Sequence, residues 1–295
     1  MHEVCLVDQM SPVVATFVPS AGMVGVSLQD DGAELFGQVQ GLQRYVSDGV
    51  FMGLPLMHPW ANRLHAWTYA AQGRTVTLGR DDSRVHADPN GLPIHGLATA
   101  YPGWTVNSQW KGGLTAELDY GADPELLRGF PFPHRLTLAV SLLNRTLRIR
   151  AAVIAGSEPV PLCFGFHPYL RIPDVPRDQW VIETPAMRHL ELDDSYLPTG
   201  RSELLQPTSM VLGDSVFDDG YDQVADGAVF AVSGGDRRIE VHFEKGFPAA
   251  QIYAPSDDDV VCFEPMTAST DSLSRGDYRL AQPGQTAVAV FSIRV

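Results

Sequence analysis

Residues 136–153 read LTLAVSLLNRTLRIRAAV. Leu136, Leu138, Val140 and Leu142 alternate with polar or small residues, and after Asn144-Arg145 the alternation resumes at Leu147, Ile149, Ala151 and Val153. A period of two puts one set of side chains on one face of a strand, and the Asn-Arg break reads as a hairpin turn. The same grammar recurs outward along the chain. Trp67–Ala71 and Arg74–Leu78 flank Gln72-Gly73, and Trp104–Trp110 and Leu114–Tyr120 flank Lys111-Gly112-Gly113. Val229–Val232 and Ile239–Phe243 flank Gly234-Gly235, and 285–295 form a last Val/Ala/Phe/Ile-rich run. No segment keeps the apolar i, i+3, i+4, i+7 spacing of a surface helix for three turns. Pro55, Pro59, Pro93, Pro102, Pro131 and Pro133 would break a helix in the first half. Many short strands with Gly/Pro punctuation predict an all-β fold, a large antiparallel sandwich or barrel. No linker divides 1–295, so one domain is expected. The stretch 173–213, rich in Pro, Asp and Ser, reads as an irregular excursion from the sheets.

Composition excludes several function classes. The 295 residues carry 35 acidic and 21 basic side chains, a net charge of −14, so nucleic acid and anionic membrane are not expected partners. Lys111 and Lys245 are the only lysines, which leaves little for Schiff-base chemistry, and no phosphate loop or dinucleotide fingerprint is present. No window approaches the length of a membrane helix, and no signal peptide is visible after Met1. Cys5, Cys163 and Cys262 form neither a disulfide framework nor a zinc pattern, which suits the cytoplasm.

Four stretches place reactive side chains among apolar, Gly/Pro-shaped neighbours: Pro59-Trp60-Ala61-Asn62-Arg63, Ile94-His95-Gly96, 163–169 (CFGFHPY) and 260–267 (VVCFEPMT). If 163–167 is a strand, Cys163, Gly165 and His167 share a face, and the two small residues leave room for a ligand. Glu264 follows an apolar run where a charge is costly unless paired or used. Each residue also has a bland reading: a structural histidine, a solvated arginine, a core Trp60, a carboxylate at a strand end. Cys163 and Cys262 read as small buried hydrophobes. A metal site from His58, His65, His95 and His167 lacks ligand spacing, so none is expected.

Taken in order, these stretches resemble the aldose 1-epimerase (galactose mutarotase) family. Leu56–Leu64 (LMHPWANRL) is similar to its P-W-x-N-R segment, His95-Gly96 with Trp104 to H-G…W, and 165–169 to G-x-H-P-Y. Gln251-Ile252-Tyr253 is similar to Q-[VI]-Y, and 263–267 with Asp271 to E-P-M-T…D. His65-Ala66-Trp67 replace glycines common after the N-R pair. The resemblance implies a β-sandwich with a sugar cleft across one sheet and no cofactor. It also implies an isomerase that interconverts the anomers of an aldohexose, acting as monomer or homodimer. Glu264 and His167 are the implied base and acid, with Asn62, Arg63, His95 and Gln251 binding sugar. The substrate-binding aspartate is expected in 217–222 (FDDGYD), with Asp218 favoured over Asp219 and Asp222. A hexose-6-phosphate epimerase, using Arg63, Arg80 or Arg171, and a non-catalytic sugar-binding protein are the alternatives.

Overall fold

The computed structural model describes residues 1–295. Its centre is a nine-stranded antiparallel sheet in the order Thr105–Trp110, Gly113–Asp119, His134–Leu143, Thr146–Ala155, Thr286–Arg294, Arg237–Lys245, Ala228–Gly234, Val181–Thr184 and Thr208–Val211. The quoted repeat is its core hairpin, with Leu138 opposite Ala151 and Leu142 opposite Leu147. Asn144 and Arg145 have φ of 49° and 61°, and Gln72 and Gly73 of 48° and 75°. Positive φ at both central residues is what a two-residue hairpin matched to strand twist requires. The Lys111 turn is one residue shorter than expected, because Gly113 already pairs with Trp110.

A second, eight-stranded sheet packs on the first. Its order is Pro198–Leu205, Met187–Leu192, Phe217–Asp222, Ala249–Ala254, Val261–Met266, Gly165–Phe166 and Leu56–Met57, with Tyr169–Leu170 also paired to Val261–Met266. Alternation assigns its faces. Val261, Phe263, Ala250, Ile252 and Ala254 point into the main core between the sheets, where Phe230 meets Phe263 at 5.4 Å and Phe166 meets Phe291 at 4.9 Å between ring centroids. Cys262, Met266, Ala249 and Tyr253 face the other way and join a second apolar cluster with Phe51, Met52, Met57 and Tyr169. Glu264 and Gln251 belong to this second face. A four-stranded sheet, 4–34, and the short helix Gly41–Asp48 contribute Val18, Val24 and Tyr45 to the same cluster. No helix is long and apolar enough to cross a membrane.

The stretch 173–213 is not an excursion. It supplies Val181–Thr184 and Thr208–Val211 to the edge of one sheet, and Met187–Leu192 and Pro198–Leu205 to the edge of the other. The two outermost strands, Pro198–Leu205 and Thr208–Val211, are almost wholly exposed, so their sequences show no apolar alternation. The segment 163–167 is likewise not one strand. Cys163 bridges Trp60, and only Gly165 and Phe166 are paired as strand. A Cβ at Gly165 would lie 2.7 Å from the Pro265 carbonyl oxygen and 3.1 Å from the Ala61 Cβ. Glycine is therefore used for close strand approach rather than to make room for a ligand.

Candidate active site

The second face of the eight-stranded sheet carries a row of polar side chains. Glu264 is in register with Gln251, which is in register with Gly220. Because Gly220 has no side chain, the Gln251 amide lies over it, its Oε1 3.3 Å from a Cβ placed there, and its Nε2 donates to Asp218 Oδ1 at 2.6 Å. His167 enters from the adjoining turn, with its backbone N–H bonded to the Pro55 carbonyl, and its Nε2 stands 3.2 Å from Glu264 Oε1. Glu264 is 1% exposed and His167 5%. The expectation that a strand-end carboxylate could reach solvent fails here, since Glu264 lies inside Val261–Met266.

A second layer comes from the loops. Arg63 pairs backbone-to-backbone with Ile94, and the His95 N–H donates to the Asn62 carbonyl. The Arg63 guanidinium donates through Nε to Asp88 at 2.7 Å, through Nη1 to Asn62 Oδ1 at 3.1 Å and through Nη2 to Asp218 at 3.2 Å. Of five guanidinium hydrogens, these bonds leave two for another acceptor. The His95 ring stacks on Phe51 at 4.5 Å and meets His167 edge-on at 5.6 Å, while His167 stacks on Tyr169 at 4.5 Å. Asp271 accepts from the backbone and Nδ1 of His65, each at 3.0 Å, and its own N–H bonds to the Arg63 carbonyl. Asp271 thus braces the arginine loop from behind. Asn62, His95 and Asp271 have φ of 57°, 63° and 63°, a concentration of left-handed backbone typical of functional sites.

Burial dominates the electrostatics. It raises the Glu264 carboxyl well above the usual carboxylate range, and the nearby Asp218 charge adds to this while Arg63 opposes it. It pushes the His167 imidazole down to about 3, with Arg63 contributing. His95 is held well below its ordinary value by burial, then by His167, Arg63 and His86. Both members of the Glu264–His167 pair are therefore driven toward their neutral forms. Glu264 Oε2, Gln251 Oε1, His167 Nδ1 and His95 Nδ1 are buried with no hydrogen-bond partner. Four such atoms in one place are a concentration of unused hydrogen-bonding capacity.

Of the expected residues, Glu264, His167, His95, Arg63, Asn62, Gln251 and Asp218 all come together. The competitors of Asp218 are spent elsewhere: Asp222 is bidentate on Arg188 at 2.7 and 2.5 Å, and Asp219 faces His189 at 3.2 Å. Trp60 is 1% exposed within the main core. The four histidines considered for a metal do not gather, since His58 pairs with His134 at 2.8 Å and His65 with Asp271. Cys163 and Cys262 are buried, with burial pushing both thiols up. Sequence reasoning missed Asp88 and Phe51, and quoted Tyr169 only as part of the 163–169 stretch. Asp88 opens an Asp-Pro-Asn-Gly turn, in which its Oδ1 accepts from the N–H groups of Asn90 and Leu92, while its Oδ2 faces Arg63.

The solved structures similar to nearly the whole chain include three from bacteria. The Slr1438 protein of Synechocystis sp. PCC 6803 is 21% identical with a TM-score of 0.79, over 99% of this chain and 95% of its own. A putative aldose 1-epimerase from Escherichia coli K12 is 19% identical with a TM-score of 0.77, over 99% and 98%. A galactose mutarotase related enzyme from Lactobacillus acidophilus is 18% identical with a TM-score of 0.79, over 99% and 97%. No curated protein matches significantly. At these identities the structures speak for the fold alone, a galactose mutarotase-like β-sandwich. The sequence model of one family, Aldose 1-epimerase, matches residues 18–294, and the chain belongs to that family.

Proposed function

We propose that the protein is an aldose 1-epimerase, an isomerase that interconverts the α and β anomers of an unphosphorylated aldohexose. Anomer exchange requires the hemiacetal to open, the C1–C2 bond to rotate and the ring to close on the other carbonyl face. Opening removes a proton from the O1 hydroxyl and delivers one to the ring oxygen O5 as the C1–O5 bond breaks. Doing either alone would create an alkoxide or an oxonium, so a paired base and acid is needed. The observation that carries the reading is the buried Glu264–His167 pair at 3.2 Å, a base and an acid within reach of one sugar ring.

With a proton on His167, the Glu264 carboxylate accepts the O1 proton while the imidazolium gives its proton to O5. The product is the free aldehyde with Glu264 protonated and His167 neutral. Closure on the opposite face runs the same transfers backward. Every proton is returned, so the reaction needs no oxidant, metal or cofactor. The burial that drives the pair toward its neutral form favours the proton arrangement of the open-chain state. The two unallocated N–H groups of Arg63, with His95, would donate to the developing carbonyl oxygen and neighbouring hydroxyls. Asn62, Gln251 and Asp218 would bind hydroxyls farther round the ring.

An unphosphorylated sugar is favoured because Arg63 is flanked by Asp88 and Asp218. Arg80 stacks on Trp67, and Arg171 borders the acidic Asp257–Asp259 run, so the three arginines offer no shared phosphate site. The test is polarimetry of fresh α-D-glucose, α-D-galactose and α-D-glucose 6-phosphate with and without protein. Acceleration of a free sugar supports the reading. Acceleration of only the phosphate ester, or of none, rejects it.

A further inference from the structure

Tyr196 lies at the tip of the hairpin joining Met187–Leu192 to Pro198–Leu205, the sheet edge farthest from Glu264. The tip is built by Asp193, whose Oδ1 accepts from the N–H groups of Ser195 and Leu197 at 2.8 and 3.0 Å, and whose carbonyl accepts from Tyr196. Tyr196 has φ of 60°, a conformation in which a bulky side chain is strained and glycine is not. Turn geometry alone would select glycine. The ring nevertheless projects across to the loop at the opposite end of the sheet, where the Arg63 guanidinium lies 4.6 Å from its centroid. It remains 42% exposed, a large aromatic left open beside a buried polar site.

The order across the face is His167, Glu264, Gln251, Asp218, then Tyr196 over Arg63. A pyranose with its anomeric carbon between Glu264 and His167 would extend its C3 and C4 toward Asp218. We infer that Tyr196 is a specificity-determining residue: its ring closes the end of the sugar site distal to the anomeric centre, packing on the C–H surface at C3–C4 while holding the Arg63 plane between Asp88 and Asp218. This rests on the mutarotase reading above. An aromatic ring suits the role because the C–H face of a sugar and a guanidinium are both attracted to its π surface.

The experiment compares wild type with Tyr196→Gly, Tyr196→Ala and Tyr196→Phe, measuring KM and kcat for glucose and galactose by polarimetry and thermal midpoints alongside. Tyr196→Gly relieves the backbone strain, so its midpoint should equal or exceed that of wild type, and Tyr196→Ala repeats the truncation without added flexibility. Both truncations should raise KM about tenfold with kcat changed far less, and shift the preference between the two C4 epimers by about threefold or more. Tyr196→Phe keeps the ring and should stay within about twofold of wild type. Truncations with wild-type KM and preference, or a Tyr196→Phe variant as impaired as Tyr196→Gly, would overturn the assignment while leaving the mutarotase reading intact. A wild-type protein inactive on both sugars would overturn both.

Discussion

Titrating the Glu264–His167 pair gives a pH profile that ordinary side chains could not produce. An unperturbed carboxyl near 4.3 and an imidazole near 6.5 would lose the acid above pH 6.5, and activity would fall about tenfold per unit, or roughly a hundredfold by pH 8.5. Here burial raises Glu264 and pushes His167 down to about 3. The groups are 3.2 Å apart, so they titrate as a unit with two macroscopic steps. At low pH the pair gains a second proton, which the depressed imidazole resists until about 3. At high pH it loses its only proton, and burial of the Glu264 carboxyl moves that step upward. Both limbs move outward from where ordinary side chains would put them. The assay is kcat/KM for mutarotation from about pH 5 to 8.5, corrected for spontaneous exchange, and the expected profile has no limb set by an imidazole titrating near 6.5. A profile falling about tenfold per unit above pH 6.5 would mean that His167 titrates as a solvated imidazole, and would refute the reasoning.

Asp88 makes a second prediction: Asp88→Asn removes the charge beside Arg63 Nε while preserving shape, and should lower kcat/KM roughly tenfold to a hundredfold with the fold retained. Wild-type kinetics for that variant would show that Arg63 is oriented without it. Acid stability provides a third. His134 Nδ1 donates to the Phe132 carbonyl at 2.6 Å, so Nε2 accepts from His58, and burial holds His134 down to about 4 and His58 well below its usual value. The unfolded chain binds protons that the native one refuses, so stability is complete above about pH 6.5 and is lost as pH falls from there toward 4. His134 alone accounts for about 2 kcal/mol by pH 5. Urea midpoints should fall between pH 7 and 5, and constant midpoints would contradict the buried neutral pair.

The parts of this molecule that sequence made legible are those where one face is buried and the other is not. Leu136–Val153 alternates because its hairpin has a core side and an outer side, and Asn144-Arg145 marks the turn because few residue pairs accept positive φ twice. Glu264 and His167 stood out as polar groups in apolar runs, and their burial explains that contrast. The edge strands of 173–213 were illegible because strands exposed on both faces carry no alternation. Asp88 was hidden for a different reason, since one of its oxygens satisfies a local turn and thereby accounts for the residue before its long-range partner is known. Phe51 and Tyr196 contribute through ring faces presented to distant residues, a relation with no sequence period. Gly165 illustrates the converse error, a small residue read as space when the fold uses it for contact.

Glu264, on this account, takes and returns the proton of the O1 hydroxyl. Glu264→Gln keeps the size and hydrogen-bonding reach of the side chain but cannot accept that proton. Exchange between the anomeric signals of a free hexose, followed by proton NMR at equal concentrations of the two proteins, should fall at least about a hundredfold in the variant, with sugar affinity largely kept. Exchange within a few-fold of wild type would contradict the account.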